Sequence, residues 1–190
     1  YVLRRTKDIL NKTTSKLTDY KIFNYVVPFQ TKYEQDLYNM IHRDTLEECA
    51  KDMSENNCQI EILEKLLRLR QATSHVNIAI KALERKFGVD NIGGIRSQSS
   101  KLSKMGSIIS RIPGLSLVFC QYREEMIKVG QELENRSIKY EKYDGSMNHQ
   151  QRLSVLKKFR NISDTMPKVL IIQIKAGGVG LNLQQFTNVF

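Results

Sequence analysis

The sequence predicts an α/β fold: a parallel sheet flanked by helices, preceded by a mainly helical N-terminal segment. The stretches 116–121, 138–143 and 168–174 read as strands, the first and third strongly apolar, and the stretches between them, 123–135 and 148–160, carry helical periodicity. Strands separated by helices of about a dozen residues imply right-handed βαβ crossovers and a sheet covered on both faces. The third run leads directly into Gly177, Gly178 and Gly180. Open α/β sheets place their ligands at that end of their strands, and glycines there let another backbone or a phosphate come close.

The elements follow in order. Residues 22–27 read as a strand closed by Pro28. Residues 31–46 then read as a helix through Tyr33, Leu37, Met40 and Ile41, with a polar interruption at 51–57. Ile60, Leu63, Leu66, Leu67 and Leu69 make an apolar helix face broad enough to be buried on more than one side. Residues 88–100, with Gly93-Gly94 and a serine cluster, suit a flexible linker. The chain divides there into a helical lead-in, 1–97, and an α/β core, 98–190. A helix through Leu102, Met105, Ile108 and Ile109 opens the core, and Pro113-Gly114 ends it. Met126, Val129, Gly130 and Leu133 form one stripe for the sheet; Leu153, Leu156 and Phe159 form the other.

Composition narrows the function. The 190 residues are 41% hydrophobic, enough for one substantial core with a helical appendage. A net charge of +10 favours a polyanionic partner. Arg4, Arg5, Lys7, Lys12 and Lys16 crowd the start, and Lys81, Arg85, Lys86, Arg96, Lys101 and Lys104 form a second basic stretch. Cys49, Cys58 and Cys120 lack paired spacing and stand apart from His42, His75 and His149, which argues against a finger-like metal site. Free thiols suit an intracellular compartment. No apolar run approaches the roughly eighteen residues of a membrane span, and no signal-like start is present.

Parallel strands would bring Gln121-Tyr122, Asp144-Gly145-Ser146 and Lys175-Ala176-Gly177-Gly178 to one edge of the sheet. Ser146 or Asn148 can cap the helix that follows, and Gln151 is the reciprocal partner if Asn148 is the cap. Lys175, between an apolar strand and the glycines, can reach a phosphate while its stem packs. Arg152 and Arg123 are further phosphate-contact candidates. The glycines fit neither a Walker A loop, since no Gly-Lys-Ser/Thr follows, nor a dinucleotide fingerprint, since Leu183 stands where a small residue is needed. No Asp-Glu pair follows an apolar strand as a Walker B acid, and Glu47-Glu48 and Glu124-Glu125 read as solvated helix surface.

Lys175-Ala176-Gly177-Gly178-Val179-Gly180-Leu181-Asn182-Leu183 resembles motif V of superfamily-two helicase-like motors, in the spelling of the Swi/Snf-type DNA-translocating ATPases. Phe119-Cys120-Gln121-Tyr122 resembles motif IV, with Cys120 in place of a serine. Asp144-Gly145-Ser146 followed by Arg152 resembles the segment ahead of motif V. Leu3-Arg4-Arg5-Thr6-Lys7 and Leu67-Arg68-Leu69-Arg70-Gln71 resemble the stretch leaving the first lobe and the helix entering the second. Ala72 to Val76 departs from the family's Cys-Asn-His-Pro-like pattern, and the segment after Lys16 lacks its usual proline.

The resemblance implies a second RecA-like lobe with its helical lead-in, part of a longer polypeptide whose arginine-bearing motif VI would lie beyond Phe190. It implies that Gln121, Arg123, Gly145, Ser146, Arg152, Lys175, Ala176 and Gly177 face a duplex DNA backbone, and that Gly178, Val179, Gly180 and Asn182 approach the nucleotide. No catalytic residue and no metal ligand are expected in this chain: ATP and Mg²⁺ belong to the intact parent, and the chain alone binds neither. Its expected partners are duplex DNA and the first lobe of the same polypeptide, with the chain itself a monomer. The location would be nuclear in a eukaryote or cytoplasmic for a large DNA virus. Two alternatives stay open, an RNA helicase lobe and a non-catalytic interaction domain derived from such a motor.

Overall fold

β1 (Leu115–Cys120), β2 (Tyr140–Tyr143), β3 (Val169–Gln173) and β4 (Phe186–Val189) form one parallel sheet in the order β2-β3-β1-β4. They belong to a computed structural model that describes residues 20–54, 59–87, 99–160, 167–177 and 180–190. The helices are α1 (Lys32–Ser54), α2 (Gln59–Ser74), α3 (Val76–Phe87), α4 (Ser100–Arg111), α5 (Arg123–Asn135), α6 (His149–Lys158) and the single turn α7 (Ile174–Gly177). The expected α/β alternation holds, with strand bounds shifted by one or two residues.

Period-two alternation in the central strands divides the core into two layers. Val118 and Cys120 of β1, with Val169 and Ile171 of β3, face α4 and α5 through Leu102, Ile109, Met126, Val129 and Leu133. Leu117, Leu170 and Ile172 face the other way, against Val155 and Phe159 on the α6 side and Phe186 of β4. β3 therefore reads as a continuous apolar run because both of its faces are covered, with residues 169–172 fully buried. On α6 the buried residue is Val155, and Leu153, expected in the core, is exposed. Lys168 closes the C-terminal end of α4: its ammonium donates to the carbonyls of Ile109 at 2.6 Å and Ile112 at 2.7 Å. The α4-to-β1 turn is made by Gly114, whose φ of 80° is in the left-handed region.

The lead-in is helical, as expected, and differs in detail. Residues 22–27 form no strand; Ile22, Phe23 and Val26 are exposed, Val26 to 98%, and none of the described strands pairs with them, so they lack the hydrogen-bonded neighbour that a strand requires. α1 runs through the polar residues 51–54, where an interruption is expected. α3, which the periodicity did not single out, supplies Val76, Ala79 and Ile80 to a third cluster with Ile41 and Ala72. Leu63, Leu66 and Leu67 on α2 are exposed, so the broad apolar face expected there is not buried within the described residues. The basic residues at 4–16 and nearly all of the 88–100 linker lie outside the described residues.

Residues 99 and 100, the end of that expected linker, are instead buried. Ser99 caps α4, accepting from the Leu102 N–H at 3.4 Å, and its hydroxyl donates to the Ser74 carbonyl at 3.2 Å. Glu34, 5% exposed, accepts from the Ser100 N–H at 2.9 Å and from the Ser100 hydroxyl, and the Gln30 N–H donates to Ser100 Oγ at 2.8 Å. A carboxylate at a helix N-terminus meets unpaired N–H groups and the positive end of the dipole. The lead-in is thereby fastened to the α/β core through polar contacts at the start of α4. None of the described helices is long and apolar enough to cross a membrane.

Candidate nucleic-acid interface

Parallel pairing places the carboxyl ends of β1, β2 and β3 side by side: Cys120 is in register with Gln173, and Tyr143 with Ile172. The loops leaving them, at 121–122, 144–148 and 174–177, therefore share one edge, as expected from the strand order along the chain. Gln173 links two of them, its side-chain oxygen accepting from the Gly145 N–H at 3.3 Å. The sequence did not mark Gln173, because a strand-terminal glutamine carries no signal without its cross-strand neighbour.

The 144–148 loop is built from its own side chains. Asp144 accepts from the Ser146 N–H at 2.7 Å and the Ser146 hydroxyl at 2.5 Å, a local turn typical of aspartate. The Ser146 hydroxyl, followed by partial burial in the opposite sense, holds the Asp144 carboxyl below its usual range, with Arg123 adding a smaller push the same way. Asn148, and not Ser146, caps α6: its side chain accepts from the Gln151 N–H at 2.9 Å, and Gln151 returns the contact to the Asn148 N–H at 2.9 Å. That leaves Gly145 and Ser146 exposed on the turn.

Arg152 is tied to this loop and half-buried. Its guanidinium stands 5.5 Å from the centre of the Tyr143 ring, one nitrogen reaches the Asp144 carbonyl at 3.5 Å, and Nε is buried without a hydrogen-bond partner. It braces the loop from beneath. Arg123, at the first position of α5, and Lys175, in α7, are both exposed. The glycine loop begins with a helical turn: β3 stops at Gln173, and Ile174–Gly177 coil immediately after it. Ala176 packs on the Leu170 and Ile172 layer. Gly177 is buried, and a Cβ there would lie 2.3 Å from Ile172 Cγ2. Gly178 and Val179 lie outside the described residues. Gly180 follows with φ 80° and open space where a Cβ would stand, and exposed Asn182 accepts from the Gln184 N–H at 3.4 Å.

Glu125 departs from the surface role expected for Glu124-Glu125. One carboxylate oxygen accepts from the N–H groups of Gln121 at 2.8 Å and Tyr122 at 3.4 Å; the other accepts from the Ser74 hydroxyl. Glu124 pairs with Lys81 at 3.1 Å. A glutamate at the third position of a helix is the capping-box signal, so half of this arrangement is visible in sequence. Cys120, the motif IV variant residue, is buried in the core, and burial pushes its thiol pKa up. Among the described residues, no group of three or more His, Cys, Asp and Glu could hold a metal ion.

Residues 100–190 match the family model described as the helicase conserved C-terminal domain. The DNA repair protein rad8 of Schizosaccharomyces pombe is 36% identical over 100 residues, covering 50% of this chain and 9% of rad8. An ATP-dependent helicase of Mycoplasma genitalium, described as uncharacterised, is 26% identical over 186 residues, which cover 96% of this chain and 16% of that protein. The chain thus spans a small part of the length of these relatives. The SWI2/SNF2 ATPase C-terminal domain of Sulfolobus solfataricus superposes with a TM-score of 0.61 at 21% identity, over 84% of this chain and 66% of that one.

Proposed function

We propose that this chain, whose residues 100–190 match the helicase conserved C-terminal domain model and whose fold is that of SWI2/SNF2 ATPase C-terminal domains, is the DNA-gripping second lobe of an ATP-dependent duplex-DNA translocase. The observation that carries this reading is the shared edge on which the three strand-end loops meet, bearing exposed Arg123 and Lys175 and the exposed turn at Gly145 and Ser146. Cations of this kind meet phosphate oxygens and position a duplex without reading its bases. Arg152 acts from below, holding the Asp144 carbonyl and so the turn. The DNA repair proteins among the relatives support duplex DNA over RNA as the track.

The nucleotide belongs on the side of Gly180 and Asn182. Open space over Gly180 and the exposure of Asn182 fit a nucleotide approaching there. ATP with Mg²⁺, when bound between this lobe and a first lobe of the same polypeptide, would supply the hydrolysis that drives movement. This chain's own residues bind and orient; the triphosphate cradle and the metal acid are assigned to the first lobe. The chain works as one half of a composite site, and its grip on the backbone is what lobe closure would move.

Titration of the 190-residue chain with labelled duplexes of unrelated sequence, at several salt concentrations, tests the reading. The expected dissociation constant is about 10⁻⁴ to 10⁻⁶ M near physiological salt, with a negative log–log slope and no preference among sequences. The same preparation is expected to release no phosphate from ATP with duplex present. Salt-independent binding, a base-sequence preference, or turnover that copurifies with the chain would each refute it.

A further inference from the structure

Through a single carboxylate, Glu125 joins the helical lead-in to the candidate interface. Its Oε2 holds the N–H groups of Gln121 and Tyr122, the two residues that carry the chain from β1 into α5, while its Oε1 holds the Ser74 hydroxyl at the end of α2. Resting on the function proposed above, we infer that Glu125 is a positioning residue through which the α2–α3 corner of the lead-in sets the Gln121–Tyr122 loop, and Arg123 at the start of α5, on the DNA-facing edge.

Both ends of this link are anchored. Glu125 rides on α5, whose Met126, Val129 and Leu133 are buried against the sheet, so the carboxylate is set by a rigid base. Ser74 is itself buried at the corner between α2 and α3, and its carbonyl accepts from the Ser99 hydroxyl at 3.2 Å. The ion pair of Lys81 with Glu124 at 3.1 Å runs beside it and holds α3 to the same turn of α5. Capping α5 requires only the contacts to Gln121 and Tyr122. The second oxygen turned toward Ser74 serves no cap, and it is the part that makes the loop depend on the lead-in. Hydrogen bonds to an ionised group are about twice as strong as neutral ones, so the bridge is stiff.

Amide hydrogen exchange on the 190-residue chain, read residue by residue by NMR, tests the link without DNA. Ser74→Ala removes the bond outside the cap and leaves the cap intact. It is expected to speed exchange at Gln121 and Tyr122 about tenfold, the loss of one hydrogen bond to a charged group, while the interior α5 amides of Val129 and Gly130 stay unchanged. Glu125→Ala should expose the same two amides at least as much. Glu125→Gln, which keeps an acceptor for the loop and a polar partner for Ser74, should stay nearer the native rates. Unchanged exchange at Gln121 and Tyr122 in Ser74→Ala would overturn the inference, as would a rise spread evenly along α5, which marks a structural role alone. No DNA enters this measurement. Failure of the unsubstituted chain to bind duplex would therefore defeat the proposed function and leave the exchange result standing, and unchanged exchange would do the reverse.

Discussion

Gly177→Ala separates packing from ligand contact within the glycine loop. An added Cβ would meet Ile172 Cγ2 at 2.3 Å and Leu181 Cδ1 at 3.4 Å. Carbon atoms rest at roughly 3.5–4.0 Å, so the first contact demands a movement of more than an ångström. Ile172 is fully buried in β3, and its offending methyl branches directly from Cβ, where rotation is most restricted. Overpacking of this kind costs about 1–3 kcal/mol. The gain in helix propensity from glycine to alanine is at most about 1 kcal/mol and applies poorly to a single turn, so the clash wins. For a chain of this length the net corresponds to a melting temperature roughly 2–8 °C lower. Urea or thermal melting followed by circular dichroism reads it. Ile172→Leu moves the branch away from Cβ, so the double variant should recover part of the loss relative to the sum of the singles. An unchanged melting point for Gly177→Ala, with duplex affinity lost, would show that Gly177 serves the DNA directly and that the packing account is wrong.

Lys175→Ala should behave oppositely: as an exposed side chain it contributes little to stability, so melting should shift by less than the equivalent of about 0.5 kcal/mol. The log–log salt slope of duplex binding should become shallower by about 0.9, the signature of one lost phosphate contact, and an unchanged slope would remove Lys175 from the interface. Ser146→Ala should return the Asp144 carboxyl toward its ordinary value of 3.8, because the Ser146 hydroxyl is the main cause of its depression. A depressed folded-state value stabilises the fold fully above the unfolded value and loses that contribution as pH falls through the lowered one. The variant should therefore show a smaller stability loss in that acid window. A carboxyl-carbon NMR titration checks the shift, and an Asp144 titration identical in both proteins would contradict the hydrogen-bonding scheme.

Much of the α/β core was legible because its signals are local. An apolar run with both faces covered, as at 169–172, needs no knowledge of distant residues to be read as a central parallel strand. The Asn148 and Gln151 pair is a reciprocal cap three residues apart, and it forms as the residue types imply. Where a partner lies far along the chain, sequence loses its grip. The apolar, β-branched and aromatic residues at 22–27 suit a strand, yet a strand exists only beside another, and none of the described strands pairs with them. Leu63, Leu66 and Leu67 declare an amphipathic helix without declaring what faces them. Glu34 and Glu125 look like surface carboxylates until Ser100 and Ser74, 66 and 51 positions away, are brought against them. At the site the same limit applies: the edge was visible in the order of strands, whereas the burial of Gly177 depends on the side chain of Ile172 beneath it.

The sheet order also dictates a sequence of assembly. β1 is made first and ends in the interior of the sheet, but β2, the next described strand along the chain, pairs among the described strands with β3 alone. Until residues 169–173 have been synthesised, neither strand has a neighbour, and the helices between them have no sheet to cover. A nascent chain halted before β3 would hold two strand segments, apolar β1 and mixed β2, that are not neighbours in the sheet. β3 therefore acts as the keystone: its arrival supplies a neighbour to both strands at once, and the cost of closing the chain between these distant partners is met only then.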